Sequence, residues 1–162
     1  MKPRIDIQKV APGAVKALLA LEGYLHSSSR LEPSLVELVR MRASQINGCA
    51  YCLDMHSKDA RAAGETEQRL YVLNAWRETP FFTDRERAAL EWTEALTLIS
   101  SSHASDEIYE QVRQRFTEEE MVSLTLAIVS INSWNRLNIS FQTVPGTYQP
   151  ASAKNSAAGV SR

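Results

Sequence analysis

The chain has 162 residues, of which 44% are hydrophobic and 23% charged, and its 18 basic and 19 acidic side chains leave a net charge of −1. This composition is typical of one globular domain, and it argues against a disordered chain or a protein that binds nucleic acid through a basic surface. The longest apolar stretch, at 121–131, is much shorter than the roughly 20 residues of a membrane-spanning helix. The N-terminal residues lack the apolar core of a secretory signal. We therefore expect a soluble, cytoplasmic protein without membrane or nucleic-acid partners.

Apolar residues recur with helical spacing along most of the chain. The pattern predicts helices at 13–28, 32–46, 49–63, 65–78, 87–100 and 106–116, and a long last helix that ends near 139. No segment alternates polar and apolar residues as a half-buried strand does. We therefore expect an all-α, single-domain protein over residues 1–145, a bundle of about six or seven helices. The small and polar residues of 146–162 predict a flexible C-terminal tail.

Several helix ends carry recognisable signals. Asn47 with Gly48, and Gly64, predict the ends of two helices. Three Ser or Thr residues are followed three positions later by Glu, the pattern of a capping box: Ser34 with Glu37, Thr83 with Glu86, and Thr117 with Glu120.

The segment NGCAYCLDMH, residues 47–56, contains both cysteines of the chain and one of its three histidines. On a helix of about 100° per residue, Cys52 lies about 60° and His56 about 20° from Cys49, so the three side chains share one face. Cys49 lies near the helix N-terminus, where unpaired N–H groups and the helix dipole favour a thiolate. A second thiol one turn away can close a disulfide with the first. The arrangement favours redox chemistry, and position alone makes Cys49 the more reactive thiol.

Two other interpretations of the cysteine pair stay open. Free cysteines are often small buried hydrophobes. Zinc is the other alternative, with Cys49, Cys52 and His56 as three legitimate ligands. The fourth ligand would have to come from one of three residues: Glu37, His26 or His103. The sequence has a single CxxC, whereas structural zinc sites usually contain two spaced ligand pairs.

Glu37 lies on the helix before the break, in a stripe with Met41 and Ser44. If the break folds the two helices against each other, this stripe faces His56, and the carboxylate would orient the imidazole and raise its basicity. The alternative is a solvated glutamate that pairs with Arg40 one turn away, or that only caps its helix.

Polar and aromatic residues elsewhere in the sequence either line a pocket or pack within the protein. Trp134, Asn135 and Asn138 interrupt the apolar last helix, where they either line a pocket mouth or, as is more common, satisfy buried polar groups. For the aromatic residues we expect core packing rather than a substrate channel. These residues are Trp76, Phe81, Phe82 and Trp92.

Glu37, eleven intervening residues, Cys49-Ala-Tyr-Cys52 and His56 resemble the core of the alkylhydroperoxidase D-like (AhpD-like) family of the carboxymuconolactone decarboxylase superfamily. The segments ELVRMRASQINGCAYCLDMHSKDARAAGE and AWRETPFFTDRERAALEWTEALT are also similar to that family, so the resemblance extends over about residues 30–140. It implies an all-helical fold, a homo-oligomer (trimer or hexamer), and a thiol peroxidase or disulfide reductase activity.

The resemblance also implies a role for each residue of the motif. Cys52 would attack the hydroperoxide, Cys49 would resolve it, and His56, oriented by Glu37, would pass protons to and from Cys52. This order reverses the assignment from helix position, and we follow the family because His56 lies one helical turn from Cys52. Better-known members carry a histidine where this chain has Tyr51, a phenol that stays protonated near neutral pH. Slow peroxide turnover is therefore expected.

These inferences combine into one expectation. The protein is an antioxidant enzyme with a redox-active disulfide, which takes a hydroperoxide as substrate and a thiol or disulfide partner as electron donor, and which has no bound cofactor or metal. One alternative is a non-enzymatic zinc- or ligand-binding helical module. The other is a decarboxylase of the carboxymuconolactone type, to whose lactone chemistry the cysteine pair is foreign.

Overall fold

A computed structural model gives the fold of residues 2–150. These residues form nine α-helices and one 3-10 helix, and no strand is present among them. The α-helices are α1 (Ile7–Val10), α2 (Pro12–Ser27), α3 (Pro33–Asn47), α4 (Ala50–Ala62), α5 (Glu67–Tyr71), α6 (Asp84–Thr97), α7 (Ile99–Ser102), α8 (Asp106–Arg113) and α9 (Glu118–Phe141). The 3-10 helix, Leu73–Glu78, lies between α5 and α6. The prediction of an all-α fold is confirmed.

Helix α3 lies at the centre and packs against α4, α6 and α9. One apolar cluster joins α3 to α6, α8 and α9 and includes the fully buried Val39 and Leu124. A second joins α3 to α6 and the 3-10 helix through Leu38, Leu73 and Leu90. Because each fully buried side chain of this kind contributes about 1.5–3 kcal/mol, the two clusters hold α3 in place, and with it the polar face that it turns towards α4.

Two of the predicted capping boxes are confirmed. Thr83 accepts a hydrogen bond from the Glu86 backbone N–H, and the Glu86 carboxylate accepts one from the Thr83 N–H at the start of α6. Thr117 and Glu120 do the same at the start of α9. These caps satisfy N–H groups that have no partner within the helix.

The capping box predicted at Ser34 is wrong. Helix α3 begins at Pro33, and Glu32 precedes it as the N-cap without a side-chain hydrogen bond. Proline fits the first helical position because its φ is already helical and its missing N–H needs no partner there. Ser34 therefore lies inside the first turn, and Glu37 makes its contacts away from the helix start.

Two predicted helices are divided and α1 was not predicted, so the described residues form ten helices where six or seven were expected. The segment 65–78 forms α5 and then the 3-10 helix, with Val72 between them and Ala75 in a non-helical conformation. The segment 87–100 belongs to α6, which starts earlier at Asp84, and to α7, which begins after Leu98. Short helices with one turn carry too few apolar repeats to be distinguished in the sequence.

After α9 the chain continues to residue 150 without regular secondary structure. Of the predicted flexible tail at 146–162, residues 151–162 lie outside the described residues, and Gly146 and Tyr148 are hydrogen-bonded to α4. The domain boundary at residue 145 stays a prediction. None of the described helices combines the length and hydrophobicity needed to cross a membrane.

Candidate active site

The turn between α3 and α4 sets the position of Cys49. Gly48 has φ = 70° and ends α3, the Gly48 N–H donates to the Gln45 carbonyl (3.3 Å), and the Cys49 N–H donates to the Ser44 carbonyl (3.0 Å). This pair of bonds is a Schellman motif, for which glycine suits the left-handed position. Cys49 follows immediately as the N-cap of α4. The sequence break at Gly48 thus folds α4 back against α3 and starts it at the first cysteine.

Helix α9 supports this turn through buried amides. The Asn47 side chain donates to Asn135 Oδ1 (2.8 Å) and Asn132 Oδ1 (3.0 Å), and Asn135 Nδ2 donates to Ser44 Oγ (3.0 Å). Asn135 is fully buried, so a loss of these partners would leave amide groups unsatisfied. The polar residues of α9 therefore hold the cysteine turn in place, as the packing interpretation of Asn135 proposed.

Both cysteines are free and buried, and they pack together in one small cluster with Ala43 and Ile131. The hydrogen bond from the Cys52 thiol, with backbone N–H groups and Asn135, lowers the pKa of Cys49 from 9.0 to about 7 against the opposing effect of burial. The pKa of Cys52 is raised, first because it donates to Cys49, and then because it is buried and faces the Cys49 charge. Asn138 Nδ2 donates to Cys52 Sγ at 3.4 Å and partly opposes that shift.

Glu37 joins the imidazole to a chain of charged groups. Glu37 Oε2 lies 2.9 Å from His56 Nδ1, and Glu37 Oε1 accepts from the Arg40 guanidinium at 2.6 Å. Burial acts to raise the pKa of Glu37, but the hydrogen bond and charge of His56, followed by Arg40, lower it overall. Arg40 also pairs with Glu22, which accepts from Trp134 Nε1. Glu37 therefore contacts both His56 and Arg40, but with 14% of its side chain exposed it is not the solvated glutamate of the alternative interpretation.

A cavity of about 620 Å³ lies beside these charged groups. Its wall includes Cys52, His56 and Tyr51 from α4 and Trp134 and Asn138 from α9, but Cys49 is not part of it. Cys52 belongs to the cavity wall although it has no exposed surface. Acidity and position therefore favour different sulfurs: Cys49 loses its proton first, and Cys52 is the one in the cavity wall.

The C-terminal segment forms the outer wall of the cavity. We call residues 143–148 the strap; four of them line the cavity, including Tyr148. The Tyr148 hydroxyl donates to Asp59 Oδ1 (2.7 Å), the Gly146 N–H donates to Asp54 Oδ2 (2.9 Å), and Lys58 Nζ donates to the Tyr148 carbonyl (3.2 Å). Burial, followed by the hydrogen bond and charge of Asp59, raises the pKa of Tyr148, so its phenol stays a donor at neutral pH. Three contacts thus fasten the strap to α4.

The structure places the four predicted site residues in two pairs, Glu37 of α3 with His56 of α4, and Cys49, the N-cap of α4, with Cys52. The two pairs meet at the cavity, whose wall includes Cys52 and His56. His26 and His103, suggested as extra zinc ligands, are exposed and lie outside the cavity wall. Among the described residues, the group of candidate metal ligands within 4.8 Å of one another contains Glu37, His56 and Asp59 and neither cysteine. The zinc set that includes the cysteines is therefore not assembled.

Three further residues at the site were missed in the sequence: Glu22, Asp59 and Tyr148. Asp59 follows His56 by three positions and shares its helix face, which is a usable signal. Glu22 and Tyr148 come from distant parts of the chain, and no local pattern marks them. Of the aromatic residues, Trp76, Phe82 and Trp92 are buried in the core and Phe81 is 38% exposed, so none forms a substrate channel at this cavity.

Comparison with known proteins identifies a matching family and several similar proteins. Residues 12–95, more than half of the chain, match the model of the carboxymuconolactone decarboxylase family. The chain is 46% identical over 140 residues to YdfG, an uncharacterized protein of Bacillus subtilis, with 86% of this chain and 95% of YdfG covered. It is similar to a protein of unknown function from Agrobacterium tumefaciens, described as a candidate antioxidant defence protein AhpD, with a TM-score of 0.87, 44% identity and coverage of 91% of this chain and 100% of that one. An uncharacterized peroxidase-related protein from Silicibacter shares the fold, with a TM-score of 0.75 and 23% identity over 84% of this chain and 72% of that one.

Proposed function

This chain is an AhpD-like member of the carboxymuconolactone decarboxylase family, and we propose that it is a thiol-dependent peroxidase with disulfide reductase chemistry. One observation carries the proposal: Cys52, packed in one cluster with Cys49, lines a cavity that His56 also lines while bound to Glu37. The relative from Agrobacterium tumefaciens, described as a candidate antioxidant defence protein, supports an antioxidant role.

The oxidative steps follow from the positions of the two sulfurs. The Cys52 thiolate attacks the terminal oxygen of a hydroperoxide, the O–O bond breaks, and Cys52 becomes a sulfenic acid. The leaving alkoxide takes a proton and departs as an alcohol. The Cys49 thiolate then attacks the sulfenic sulfur, hydroxide leaves and is protonated to water, and a disulfide remains. An external dithiol returns two electrons and two protons to the pair.

The location of the protons before and after the attack gives His56 a role in proton transfer. At neutral pH the proton that the pair retains lies on Cys52, because Cys49 has the lower pKa. Cys52 must pass that proton on before it attacks, and the same proton is needed by the leaving alkoxide. An imidazole that faces the cavity and is held by Glu37 suits both transfers. His56 would therefore store the proton between the two steps.

The test follows thiol loss in the reduced protein after one equivalent of hydroperoxide. Wild-type protein should lose two hydrogen atoms by intact-mass measurement, and a dithiol should restore them. Cys49→Ser should stop at a Cys52 sulfenic acid that a dimedone adduct identifies, and Cys52→Ser should fail to form it. A dithiol that persists in the wild type, or an adduct on Cys49 alone, contradicts the proposal. The hydroperoxide, the electron donor, the homo-oligomer and the cytoplasmic location remain predictions.

A further inference from the structure

The charges around the cavity are unevenly distributed. Three carboxylates line it, those of Asp6, Glu22 and Asp59. Among the lining residues in the described part of the chain, Arg40 alone carries a permanent positive charge. The cavity is therefore rich in negative charge for a site built around a thiol.

The one guanidinium is already occupied. Arg40 pairs with Glu22 on one side and with Glu37 on the other, and its side chain is only 17% exposed. His56 turns Nδ1 to Glu37 at 2.9 Å, so a protonated imidazole is also offset by a carboxylate. An incoming anion would meet no cation in the described wall that lacks a carboxylate partner.

The rest of the wall is largely hydrocarbon. Apolar side chains line it from α2, α4, α9 and the strap: Val15, Leu19, Met55, Trp134 and Val144. A negative charge placed among these groups loses hydration and is repelled by the carboxylates, and both effects are stronger in a partly buried cavity than in water.

We infer that the cavity admits uncharged organic molecules with an apolar body to Cys52 and rejects anions. This inference deepens the proposed function, because it makes the substrate a neutral organic hydroperoxide, one that bears no carboxylate. The charge selectivity itself does not depend on peroxidase activity. It also weighs against the decarboxylase alternative, since a carboxylated lactone is an anion.

A matched pair of thiol reagents tests the selectivity. Iodoacetamide and iodoacetate have nearly the same size, and each forms one S–C bond at Cys52, with loss of iodide from the reagent and of the thiol proton to the buffer, but iodoacetate carries a charge. The tryptic peptide 43–58 contains both cysteines, and fragment masses assign each adduct. With rates divided by those of glutathione, iodoacetate should react with Cys52 at least about ten-fold more slowly than iodoacetamide. Equal normalised rates would overturn the inference.

Charge variants check the cause. Glu22→Gln removes one of the two carboxylates that neutralise Arg40, and Asp59→Asn removes a second lining charge. Each should reduce the ratio of the iodoacetamide rate to the iodoacetate rate at Cys52 by about three-fold or more. Circular dichroism verifies that each variant is folded. Glu91→Gln is the matched control, because Glu91 pairs with Arg77 away from the cavity wall. Discrimination that stays the same in both cavity variants, or that narrows equally in the control, would assign the effect to something other than these charges.

A pair of peroxides separates this inference from the proposed function. Cumene hydroperoxide and its 4-carboxylate are added separately to the reduced wild type, and thiol loss is followed. Fast loss with the neutral peroxide and slow loss with the carboxylate supports both proposals. No loss with either, with iodoacetate still disfavoured, defeats the peroxidase function and leaves the charge selectivity standing. Equal loss with both peroxides overturns the selectivity.

Discussion

Cys49 and Cys52 differ in acidity because they occupy different positions in the same turn. The interaction between the two thiols lowers the pKa of Cys49 and raises that of Cys52, so the first thiolate forms on Cys49. The folded-state pKa of Cys49, about 7, lies below its ordinary value of 9.0. The thiolate therefore stabilises the fold fully above pH 9.0, and this contribution is lost as the pH falls through about 7.

The thiolate absorbance of the reduced protein should show this difference directly. Titration at 240 nm should give a step near pH 7 in the wild type. Cys52→Ala should move the step towards the ordinary thiol value, because it removes the largest cause of the shift. Cys49→Ser should have no step near neutrality. A step that survives in Cys49→Ser would assign the acidic thiol to Cys52 instead.

Glu37 and His56 should behave as one proton-handling unit, because their side chains are hydrogen-bonded. Glu37→Gln and His56→Ala should each slow sulfenic acid formation at Cys52 by about ten-fold or more. The double variant should be little slower than the slower single variant, since each change already disables the pair. Stopped-flow mixing gives the single-turnover rate of the wild type, the two single variants and the double variant. Strictly multiplicative losses would show that the two residues act independently.

Tyr51 lines the cavity beside Cys52, and burial, followed by the charges of Cys52 and Asp54, raises its pKa. It therefore stays a neutral phenol between about pH 5 and 8, where a histidine would change charge. If a proton carrier is missing here, Tyr51→His should speed peroxide reduction and add a titrating group to the pH profile. Steady rates across that pH range test this. If the wild type reduces peroxide rapidly and Tyr51→His is no faster, the tyrosine does not limit the reaction.

At the scale of elements, the α3–α4 turn depends on the left-handed conformation of Gly48. No atom lies within 4 Å of the place that a Cβ would occupy, so a substitution there has only a backbone cost. Gly48→Ala should lower the free energy of unfolding by about 1–2 kcal/mol, with a smaller loss for Gly48→Asn. Urea denaturation measures the change.

Gly23 provides a control of opposite sign. It lies inside α2, with equally open space around its Cα. Gly23→Ala should raise the free energy of unfolding by about 0.5–1 kcal/mol, because alanine loses less backbone entropy in a helix. Equal and positive effects at both glycines would show that the φ of Gly48 imposes no cost.

Local sequence patterns predicted some of the helix starts correctly and one of them wrongly. Thr83 and Thr117 predicted their helix starts correctly because a capping box is a local arrangement of side chain and backbone. Ser34 misled because the same local signal competes with Pro33, whose restricted φ decides where α3 begins. The sequence predicted the contact between Glu37 and His56 only if the break at Gly48 folds α4 against α3, and the family resemblance implied it; the structure meets that condition.

At the scale of the whole molecule, the cavity needs both ends of the described chain. Residues 3 and 5–8 form one part of its wall and the strap forms another, and the Arg4 N–H donates to the Phe141 carbonyl at 2.8 Å where the two ends meet. The strap has the sequence Thr-Val-Pro-Gly-Thr-Tyr. Such a short segment carries no periodic signal, so the sequence predicted a tail from residue 146 where the structure has a cavity wall that extends to Tyr148. Its position depends on single contacts with α4 that only the folded chain creates.

The strap should limit how large a molecule reaches Cys52, and the Tyr148 hydroxyl is the contact that tests this. Tyr148→Phe keeps the ring but removes the 2.7 Å hydrogen bond to Asp59. Because a hydrogen bond to a charged group contributes about 1.5–3 kcal/mol, the strap should open more often. Labelling of Cys52 by a bulky fluorescent maleimide should then be about ten-fold faster, with a smaller change for iodoacetamide. Tyr71→Phe is the control, since Tyr71 donates a similar bond to Glu67 on the exposed surface. If both variants label at the wild-type rate, the strap does not restrict access, and the packing of the two cysteines against α9 limits the reaction instead.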